Sequence, residues 1–385
     1  MTKPAVVHII VGLHTGGAEK TLLKVCSGLP QFHHHVVSLT AFGELAPAFL
    51  KAGAELHCLD MRTASGVIRG LASILHFVWK TKPSLIQSWM YHSDLVTLFI
   101  KLVAPRTPIV WNLRHSALTP SSSRRTRLIQ RVLVGSSWFI PRAIVAAGVS
   151  VKDEHQRIGY PEQKLLTISN GIDLEVFRAD SSLRDVGRTR LGLAQDQLLI
   201  GFVGKWDPHK GVESFLDALK FLFDWGREVQ FLMVGNDLLF ENSQLVDLVE
   251  RRQLTDHAHL VGPVPDVQTY LNALDIMVSA SETEGFPNVI AEAIACGVPV
   301  VATDVGDSSL LLASQDFLVP PRSAVKLAEA ISSLLKLAPS ERKTITDTNY
   351  RWISENYSME QMLVSYDSLW RKCMTSVTPE TGDVL

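Results

Sequence analysis

Short apolar runs alternate with amphipathic stretches along most of the chain. Glycine, proline and polar residues bound each run, as is typical of buried strands, whereas the apolar spacing between the runs is typical of helices that pack on a sheet. The strands predicted in this way are 6–11, 36–39, 56–59, 85–89, 109–113, 143–146, 198–203, 229–235, 259–262, 274–280 and 300–302. This alternation predicts an α/β protein whose parallel sheets carry helices on both faces.

The segment that follows strand 274–280 predicts a site for an anion. A polar loop at 281–286 leads to Pro287, which fits the first turn of a helix that we expect to end near Cys296. The first amide groups of a helix have no partners within it and carry partial positive charge. The amides near the start of this helix therefore suit a diphosphate.

Two carboxylates accompany this helix. Glu284 precedes it, and Glu292 lies about 7.5 Å along its axis from Pro287. An ionised carboxylate only accepts hydrogen bonds, and sugar hydroxyls are suitable donors. The pattern predicts a ligand with hydroxyl groups at both ends and phosphates between them, which describes a nucleotide sugar.

The sequence that holds both glutamates reads EGFPNVIAEAIACGVPVVATDVGD and begins at Glu284. It resembles the paired-glutamate signature of the glycosyltransferase family 4 enzymes, and is similar to bacterial polysaccharide and cell-envelope glycosyltransferases. The resemblance implies the GT-B fold, an α/β architecture of two Rossmann-like, doubly wound domains that face each other across a cleft. It also implies transfer of a sugar from a nucleotide-diphosphate sugar to an acceptor hydroxyl, in envelope, capsule or other polysaccharide synthesis. The resemblance further implies that the reaction retains the configuration at the anomeric carbon and requires no metal and no cofactor.

A glycine turn after strand 198–203 carries Lys205 and Lys210, which can hold a diphosphate as point charges. The family commonly has arginine where Lys205 stands. The resemblance implies that Glu292 holds the ribose hydroxyls and that Glu284 holds those of the transferred sugar. The predicted donor-binding residues are Lys205, Lys210, Glu284, Gly285, Phe286, Pro287, Asn288, Val289 and Glu292. Lys210 is also predicted to be catalytic because charge builds on the leaving β-phosphate, and Glu284 because it holds the reacting sugar.

The first half offers a second glycine turn and a histidine. Gly16 and Gly17 lie between strand 6–11 and a helix, a layout typical of nucleotide-binding α/β folds. The turn resembles the family's glycine loop on the acceptor side of the cleft. His115 follows strand 109–113 and resembles the histidine that the family places near sugar and acceptor. Ligands bind beyond the carboxyl ends of parallel strands, so we expect His115 to be catalytic by orienting the reacting groups.

Other histidines follow less specific patterns. His92 also follows a strand and is the alternative to His115. We predict that the run of three histidines at 33–35 forms a solvated loop and no metal site, because adjacent residues rarely present three ligands together.

We predict an acceptor-side Rossmann-like domain at 1–177, a linker at 178–196 and a nucleotide-sugar-binding domain at 197–349. The segment from Ser169 resembles the hinge motif of the family, which usually has proline at that position. A helix predicted at 350–370 packs back on the first domain if the resemblance holds, and on its own domain in the simpler interpretation.

The chain has 385 residues, of which 46% are hydrophobic and 20% charged, a composition typical of globular domains. Its net charge of -2 favours no polyanionic partner, but residues 1–175 carry 19 Lys and Arg against 10 Asp and Glu. The 4 cysteines are scattered without metal-ligand spacing, which indicates a reducing compartment. No apolar run is long enough to span a bilayer, and 5–12 reads as a first strand rather than a signal peptide. We therefore expect a cytoplasmic protein.

The positive charge of the first half includes a mixed basic and apolar stretch at 119–133. Such a stretch can lie on an anionic membrane surface, or it can be a solvated helix that packs on the core, and both interpretations stay open. It lacks the aromatic residues that stack on bases, so we expect no nucleic-acid partner. The charge favours a glycan or lipid-linked acceptor on the inner membrane face.

Two other functions remain open at this point. A sugar-nucleotide epimerase of the same architecture would use similar glycines, but needs an acid/base set that the sequence does not display. An inactive nucleotide-sugar-binding partner protein is the other alternative, although both glutamates and both lysines are present.

Overall fold

The computed structural model describes residues 3–114 and 124–375. The strands are β1 (Ala5–Ile10), β2 (His33–Ser38), β3 (Glu55–Cys58), β4 (Leu85–Trp89), β5 (Ile109–Leu113), β6 (Ala143–Ala146), β7 (Leu165–Thr167), β8 (Leu199–Val203), β9 (Gln230–Val234), β10 (Ala258–Gly262), β11 (Ile276–Ser279), β12 (Val300–Thr303) and β13 (Leu318–Val319). The helices are α1 (Gly17–Gly28), α2 (Ala46–Lys51), α3 (Ala64–Thr81), α4 (Tyr91–Val103), α5 (Arg124–Ser137), α6 (Val149–Arg157), α7 (Ser181–Leu191), α8 (Val212–Asp224), α9 (Ser243–Arg251), α10 (Val267–Ala273), α11 (Asn288–Ala295), α12 (Ser308–Leu311), α13 (Ala324–Lys336), α14 (Pro339–Asn356) and α15 (Met359–Met374).

The chain forms two compact units. Unit 1 comprises Met1–Gly171 with Met359–Leu385, and unit 2 comprises Ile172–Ser358. The first boundary falls inside the segment that resembles a hinge. The second separates α14 from α15, so the predicted helix 350–370 is interrupted at Tyr357 and Ser358.

Unit 1 is built on a seven-stranded parallel sheet of order β3-β2-β1-β4-β5-β6-β7. The side chains of successive β1 residues lie on opposite faces of the sheet, because side chains alternate along a strand. Val6 and Ile10 join the core cluster that includes residues of α1 and α15, and Val7 and Ile9 join the cluster that includes residues of α3 and α4. The strand order reverses between β1 and β4, which makes this the switch point where such sheets bind ligands.

The histidine run contradicts the prediction of a solvated loop. Residues 33–35 begin β2, with His34 opposite Val6 of β1 and His35 opposite Glu55 of β3. His34 lies in the core stacked on His8, and burial lowers the pKa of both imidazoles. The strand period places His33 and His35 on the other face. The prediction was wrong because a histidine can pack in a core as a neutral ring.

Unit 2 has the same architecture, with a six-stranded parallel sheet of order β10-β9-β8-β11-β12-β13. The switch point of this sheet lies between β8 and β11. The eleven predicted strands are confirmed in both units with shifts of at most two residues at their ends, except that β2 begins three residues before the predicted 36–39. The short β7 and β13 were not predicted, since two or three residues carry little periodicity.

The predicted linker 178–196 differs from the structure, which has helix α7 there, within unit 2. Asp180 accepts hydrogen bonds from the first amides of α7, and Gly192 ends the helix in a left-handed conformation. Arg188 of α7 is fully buried and pairs with Asp275 at 2.7 Å. These contacts stabilise α7 as a helix, although the charged composition of the segment suggests irregular structure.

Across the described ranges 3–114 and 124–375, no helix combines the length and the apolar character needed to cross a bilayer.

Candidate functional site

The switch point of unit 2 joins the loop after β8 to the loop after β11. Lys210 lies in a short 3-10 turn at the end of the first loop, and Glu284 lies in the second. The Nζ atom of Lys210 donates to Oε1 of Glu284 at 2.5 Å, with side-chain exposures of 27% and 12%. Two residues 74 positions apart, predicted separately, therefore form one ion pair at the ligand-binding edge of the sheet.

The backbone around this ion pair is tightly packed. Gly211 follows Lys210 with φ of 70°, and a side chain there would overlap the carbonyl oxygen of Ala280 at the end of β11. The carbonyl of His209 accepts a hydrogen bond from the amide of Glu282 at 2.8 Å. Glycine is needed because the conformation is left-handed and the carbonyl oxygen of Ala280 occupies the space that a Cβ would take. The two loops are thus held together by main-chain contacts, which fix the position of the ion pair.

A third loop supports the glutamate from the other side. The amide of Asp307 donates to the carbonyl of Gly285 at 2.9 Å, and a Cβ on Gly306 would lie 2.5 Å from the carbonyl oxygen of Glu284. Ser281 adds a side-chain contact, because its hydroxyl donates to Oε1 of Glu284 at 2.7 Å. The carboxylate is therefore oriented by Lys210 and Ser281 together.

Helix α11 begins at Asn288, one residue later than predicted, because Pro287 has ψ of 86° and occupies the N-cap position. It ends at Ala295, and Gly297 follows with a left-handed φ of 73°, as expected for a helix stop. Phe286 is buried, with its ring 5.6 Å from that of Tyr357. Asn288 and Val289, which supply amides at the start of the helix, are half-buried.

Glu292 lies on the same helix and is also half-buried. Burial raises the pKa of the Cys296 thiol to about 12, and the negative charge of Glu292 adds to the rise. The carboxylate of Glu292 thus lies near the last turn of α11, whereas Glu284 lies before its first turn.

Lys205 differs from Lys210 in its surroundings. Its side chain is 59% exposed and pairs with Asp207 at 2.7 Å. Burial raises the pKa of Asp207, but the hydrogen bond from Lys205 and that from the amide of His209 outweigh it, so the net shift is downward. Lys205 is therefore a solvated cation that already has an anionic partner, and Asp207 is a neighbour that the sequence analysis did not identify.

In unit 1, Gly16 and Gly17 lie at the start of α1, next to the carboxyl end of β1. A side chain on Gly16 would meet the carboxylate of Glu19, whereas one on Gly17 would meet nothing within 4 Å. Burial raises the pKa of Glu19, against smaller opposing contributions that include the charge of Arg114. The predicted catalytic His115 lies outside the described residues. The alternative His92 is exposed at the start of α4.

Arg114 is a further candidate site residue that the sequence analysis did not select. It directly follows β5, donates to the hydroxyl of Thr21 at 2.6 Å and to the amide oxygen of Asn170, and lies 5.5 Å above the ring of Trp89. Burial lowers the pKa of this guanidinium. Among the described residues no carboxylate pairs with it, and its Nη1 has no hydrogen-bond partner. Only its place after a predicted strand could have singled it out.

Two family models match the chain. The glycosyl transferases group 1 model matches residues 197–337, and the Glycosyltransferase Family 4 model matches residues 15–176. The chain is 35% identical over 193 residues to the putative teichuronic acid biosynthesis glycosyltransferase TuaC of Bacillus subtilis, a match that spans 49% of this chain and 46% of that protein. It is 23% identical over 326 residues to the capsular polysaccharide biosynthesis glycosyltransferase CapM of Staphylococcus aureus, covering 82% of this chain and 84% of that protein. The chain thus spans about half the length of the first relative and most of the second.

Solved structures show the same fold. The Anabaena protein HepE in complex with UDP superimposes with a TM-score of 0.84 at 21% identity, over 96% of this chain and 100% of that one. Sucrose-phosphate synthase from Thermosynechococcus elongatus gives 0.81 at 17% identity, over 97% and 100% of the two chains. Two units with parallel sheets of this strand order are the GT-B fold. The chain thus carries a Glycosyltransferase Family 4 domain at 15–176 and a glycosyl transferases group 1 domain at 197–337.

Proposed function

We propose that this chain transfers a sugar, with retention at the anomeric carbon, from a nucleotide-diphosphate sugar to an acceptor hydroxyl in polysaccharide synthesis. The observation that carries the proposal is the Lys210–Glu284 ion pair beside the N-terminus of α11. It combines a hydroxyl acceptor, a cation and the N-terminus of a helix at one end of one sheet. The names of TuaC and CapM, which refer to teichuronic acid and capsular polysaccharide, support the assignment to polysaccharide synthesis.

Glu284 is suited to bind the hydroxyls of the transferred sugar. Among the described residues, protein donors reach only its Oε1, which accepts from Lys210 and from Ser281. Oε2 therefore remains for a ligand hydroxyl. A carboxylate held by a lysine is also a poor nucleophile, which supports a front-face retaining reaction over a covalent intermediate on Glu284.

Lys210 and the first amides of α11 provide positive charge for the leaving diphosphate. Negative charge grows on the β-phosphate as the bond to the anomeric carbon breaks, and a fixed cation stabilises that charge without reorganisation. With Lys205 in the same loop, these groups can take the role that a metal has in other transferases, so we propose a reaction that needs no metal. Glu292, further along the helix, fits the ribose hydroxyls.

The first test is the Lys210→Ala variant. We expect turnover to fall about 10²- to 10³-fold, the range for loss of one electrostatic group at a transition state, with a smaller change in the KM for donor. Lys220→Ala is the matched control, since Lys220 pairs with Asp224 on the surface of α8, and it should retain activity. A Lys210→Ala enzyme with normal turnover and only a raised KM would contradict the catalytic role.

A ligand screen should precede the kinetics. HepE was crystallised with UDP and with UDP-glucose, so these are the natural first compounds for thermal-shift measurements, followed by other nucleotide diphosphates and their sugars. We expect calorimetry to show weaker binding of the free nucleotide diphosphate to Glu292→Ala than to the wild type. Equal affinities of the variant and the wild type for the nucleotide diphosphate would contradict the proposed contact between Glu292 and the ribose.

We further propose that unit 1 works on the inner membrane surface, on a glycan or lipid-linked acceptor. Leu128 and Val132 project from the exposed side of α5, with exposures of 62% and 44%. Phe139, just beyond the helix, is 83% exposed. Exposed arginines flank them at 124, 125, 127 and 131. An apolar strip edged by cations is typical of helices that bind anionic lipid surfaces.

Vesicle flotation tests the membrane proposal. The wild type should float with vesicles that contain anionic lipid, and less so as salt rises. A variant with Arg124, Arg125 and Arg127 changed to glutamate should remain in the soluble fraction. If that variant still floats, the surface of α5 is not the binding face.

A further inference from the structure

We propose that His33, His35 and Glu55 form a binding site for one divalent transition-metal ion, with Zn²⁺ as its representative, at the edge of the sheet of unit 1. The three residues lie on one face of β2 and the neighbouring edge strand β3. One ligand atom from each lies within 4.8 Å of the other two. Two imidazoles and a carboxylate are a donor set typical of zinc sites that keep a position open for water.

The distances within the cluster fit a tetrahedral ion. Nε2 of His33 lies 3.0 Å from Oε1 of Glu55, and Nδ1 of His35 lies 3.2 Å from Oε2 of the same carboxylate. Zinc bonds of about 2.0 to 2.2 Å at tetrahedral angles place neighbouring ligand atoms about 3.3 Å apart. The side chains therefore need only small movements to bind an ion.

His35 supplies an independent observation. Its side chain is only 9% exposed, and its Nδ1 is buried with no hydrogen-bond partner. The nitrogen approaches the Glu55 carboxylate closely but is not aligned to donate to it. A metal would account for this geometry, because a ligand nitrogen points at the ion between the ligands and not at the next ligand atom. A buried polar atom without a partner is otherwise costly.

The cluster is open to solvent on one side. The exposed sides of His33 and Glu55, at 41% and 55%, leave a path for the ion from solvent.

The location indicates a stabilising site rather than a catalytic one. His33 and Glu55 are the first residues of β2 and β3, so the cluster lies at the amino ends of the strands. The glycine turn of unit 1 follows the carboxyl end of β1. An ion here would link the edge strand β3 to its neighbour, and it has no part in the proposed transfer of a sugar.

Calorimetry with ZnCl₂ tests the proposal on the full chain, purified without a polyhistidine tag and freed of metal with a chelator. We expect one equivalent of Zn²⁺ to bind and Mg²⁺ not to bind, because magnesium prefers oxygen ligands. His33→Gln should weaken Zn²⁺ binding at least tenfold, and His33 is exposed enough for the variant to fold. Glu55→Gln keeps a hydrogen-bond acceptor for His33 but removes the charge, so it should weaken binding as well.

Two controls exclude other sources of binding. His76→Gln removes an exposed histidine of α3, and Cys58→Ser removes the exposed thiol at the end of β3. Both should bind Zn²⁺ as the wild type does. Zn²⁺ should also raise the thermal midpoint of the wild type and of both controls, but not that of His33→Gln. Absence of stoichiometric binding to the wild type, or unchanged affinity in His33→Gln, would overturn the proposal.

Discussion

The turn after the first strand has opposite surroundings in the two units. In unit 2, a side chain on Gly211 would overlap the carbonyl of Ala280, so the turn is closed by the neighbouring loop. In unit 1, a side chain on Gly17 would meet no described residue within 4 Å. The same motif, a strand followed by a glycine turn and a helix, is thus closed by a neighbouring loop in unit 2, whereas no described residue closes it in unit 1. A glycine turn by itself does not tell which of the two applies.

Buried charges show the same contrast. Arg188 of unit 2 is saturated, because it donates to Asp275 and to the carbonyls of Ala273, Ala194, Gln195 and Gln197. Arg114 of unit 1 has hydrogen bonds to Thr21 and Asn170, and no carboxylate among the described residues pairs with it. The hydrogen-bonding groups of Arg188 are thus taken up within unit 2, whereas Nη1 of Arg114 has no hydrogen-bond partner among the described residues of unit 1.

The largest effect is expected from Gly211→Ala. A left-handed conformation costs an alanine about 1–2 kcal/mol, and the overlap with Ala280 must push the two loops apart as well. We expect a loss of several kcal/mol of the unfolding free energy, measured by thermal or urea unfolding. Gly226→Ala is the control, since its φ of 74° is similar and nothing lies within 4 Å of the added atom. Equal losses in the two variants would mean that the contact between the loops has no energetic weight.

Arg188→Met should come next, at about 1–3 kcal/mol, because it leaves Asp275 with Arg184 as its remaining cation and removes the donor from the carbonyls that Arg188 contacts. Arg114→Met removes a buried charge that has no carboxylate partner, so its effect on stability should be clearly smaller. Its effect on activity should be the larger of the two. Urea unfolding and transfer assays on both variants measure this contrast. A larger loss of stability in Arg114→Met than in Arg188→Met would contradict the difference in hydrogen bonding between the two arginines.

A pH effect of intermediate size is expected from the neutral histidine pair of unit 1. Nε2 of His8 and Nδ1 of His34 lie 3.0 Å apart in the core, Nε2 of His34 donates to the carbonyl of Leu29, and the pKa of both rings is lowered by burial and by neighbouring histidines. The unfolded chain binds more protons below its histidine pKa of about 6.5, so stability is full above that pH and falls below it. The loss is at most about 1.4 kcal/mol per pH unit for each histidine.

Urea unfolding at pH 7.5 and 5.5, followed by tryptophan fluorescence, measures this dependence, since Trp89 and Trp370 lie close to His8. His34→Gln should flatten the difference between the two pH values. His76→Gln, which changes an exposed ring, should keep it. A wild type equally stable at both values would show that the pair is not neutral in the folded state.

The smallest effect on stability is expected from Gly17→Ala, which we place within about 0.5 kcal/mol because the added methyl group, at the first turn of a helix, meets no described residue within 4 Å. If that space receives a ligand, activity falls while the thermal midpoint stays unchanged. Unchanged activity would indicate that the turn of unit 1 is a tight turn only.

Local pattern was enough to predict most of the fold. The strands of both sheets, helix α11 and its glycine stop follow from apolar runs and from residues that act within a few positions of each other. The candidate donor-binding residues could be named for the same reason, because the glycine turn and the paired glutamates follow the ends of predicted strands. The resemblance to glycosyltransferases was read from those same segments.

The tertiary structure alone decided which partners these residues have. Lys210 meets Glu284, Asp307 supports Gly285, and Arg114 meets Asn170 through contacts between residues far apart in sequence. Neighbours across the sheet likewise decide which of residues 33–35 lie in the core. The helix in the predicted linker depends on the burial of Arg188 and its ion pair with Asp275. Sequence periodicity predicts on which face of a strand or helix a side chain lies. Which atoms it contacts there depends on how segments distant in sequence pack together.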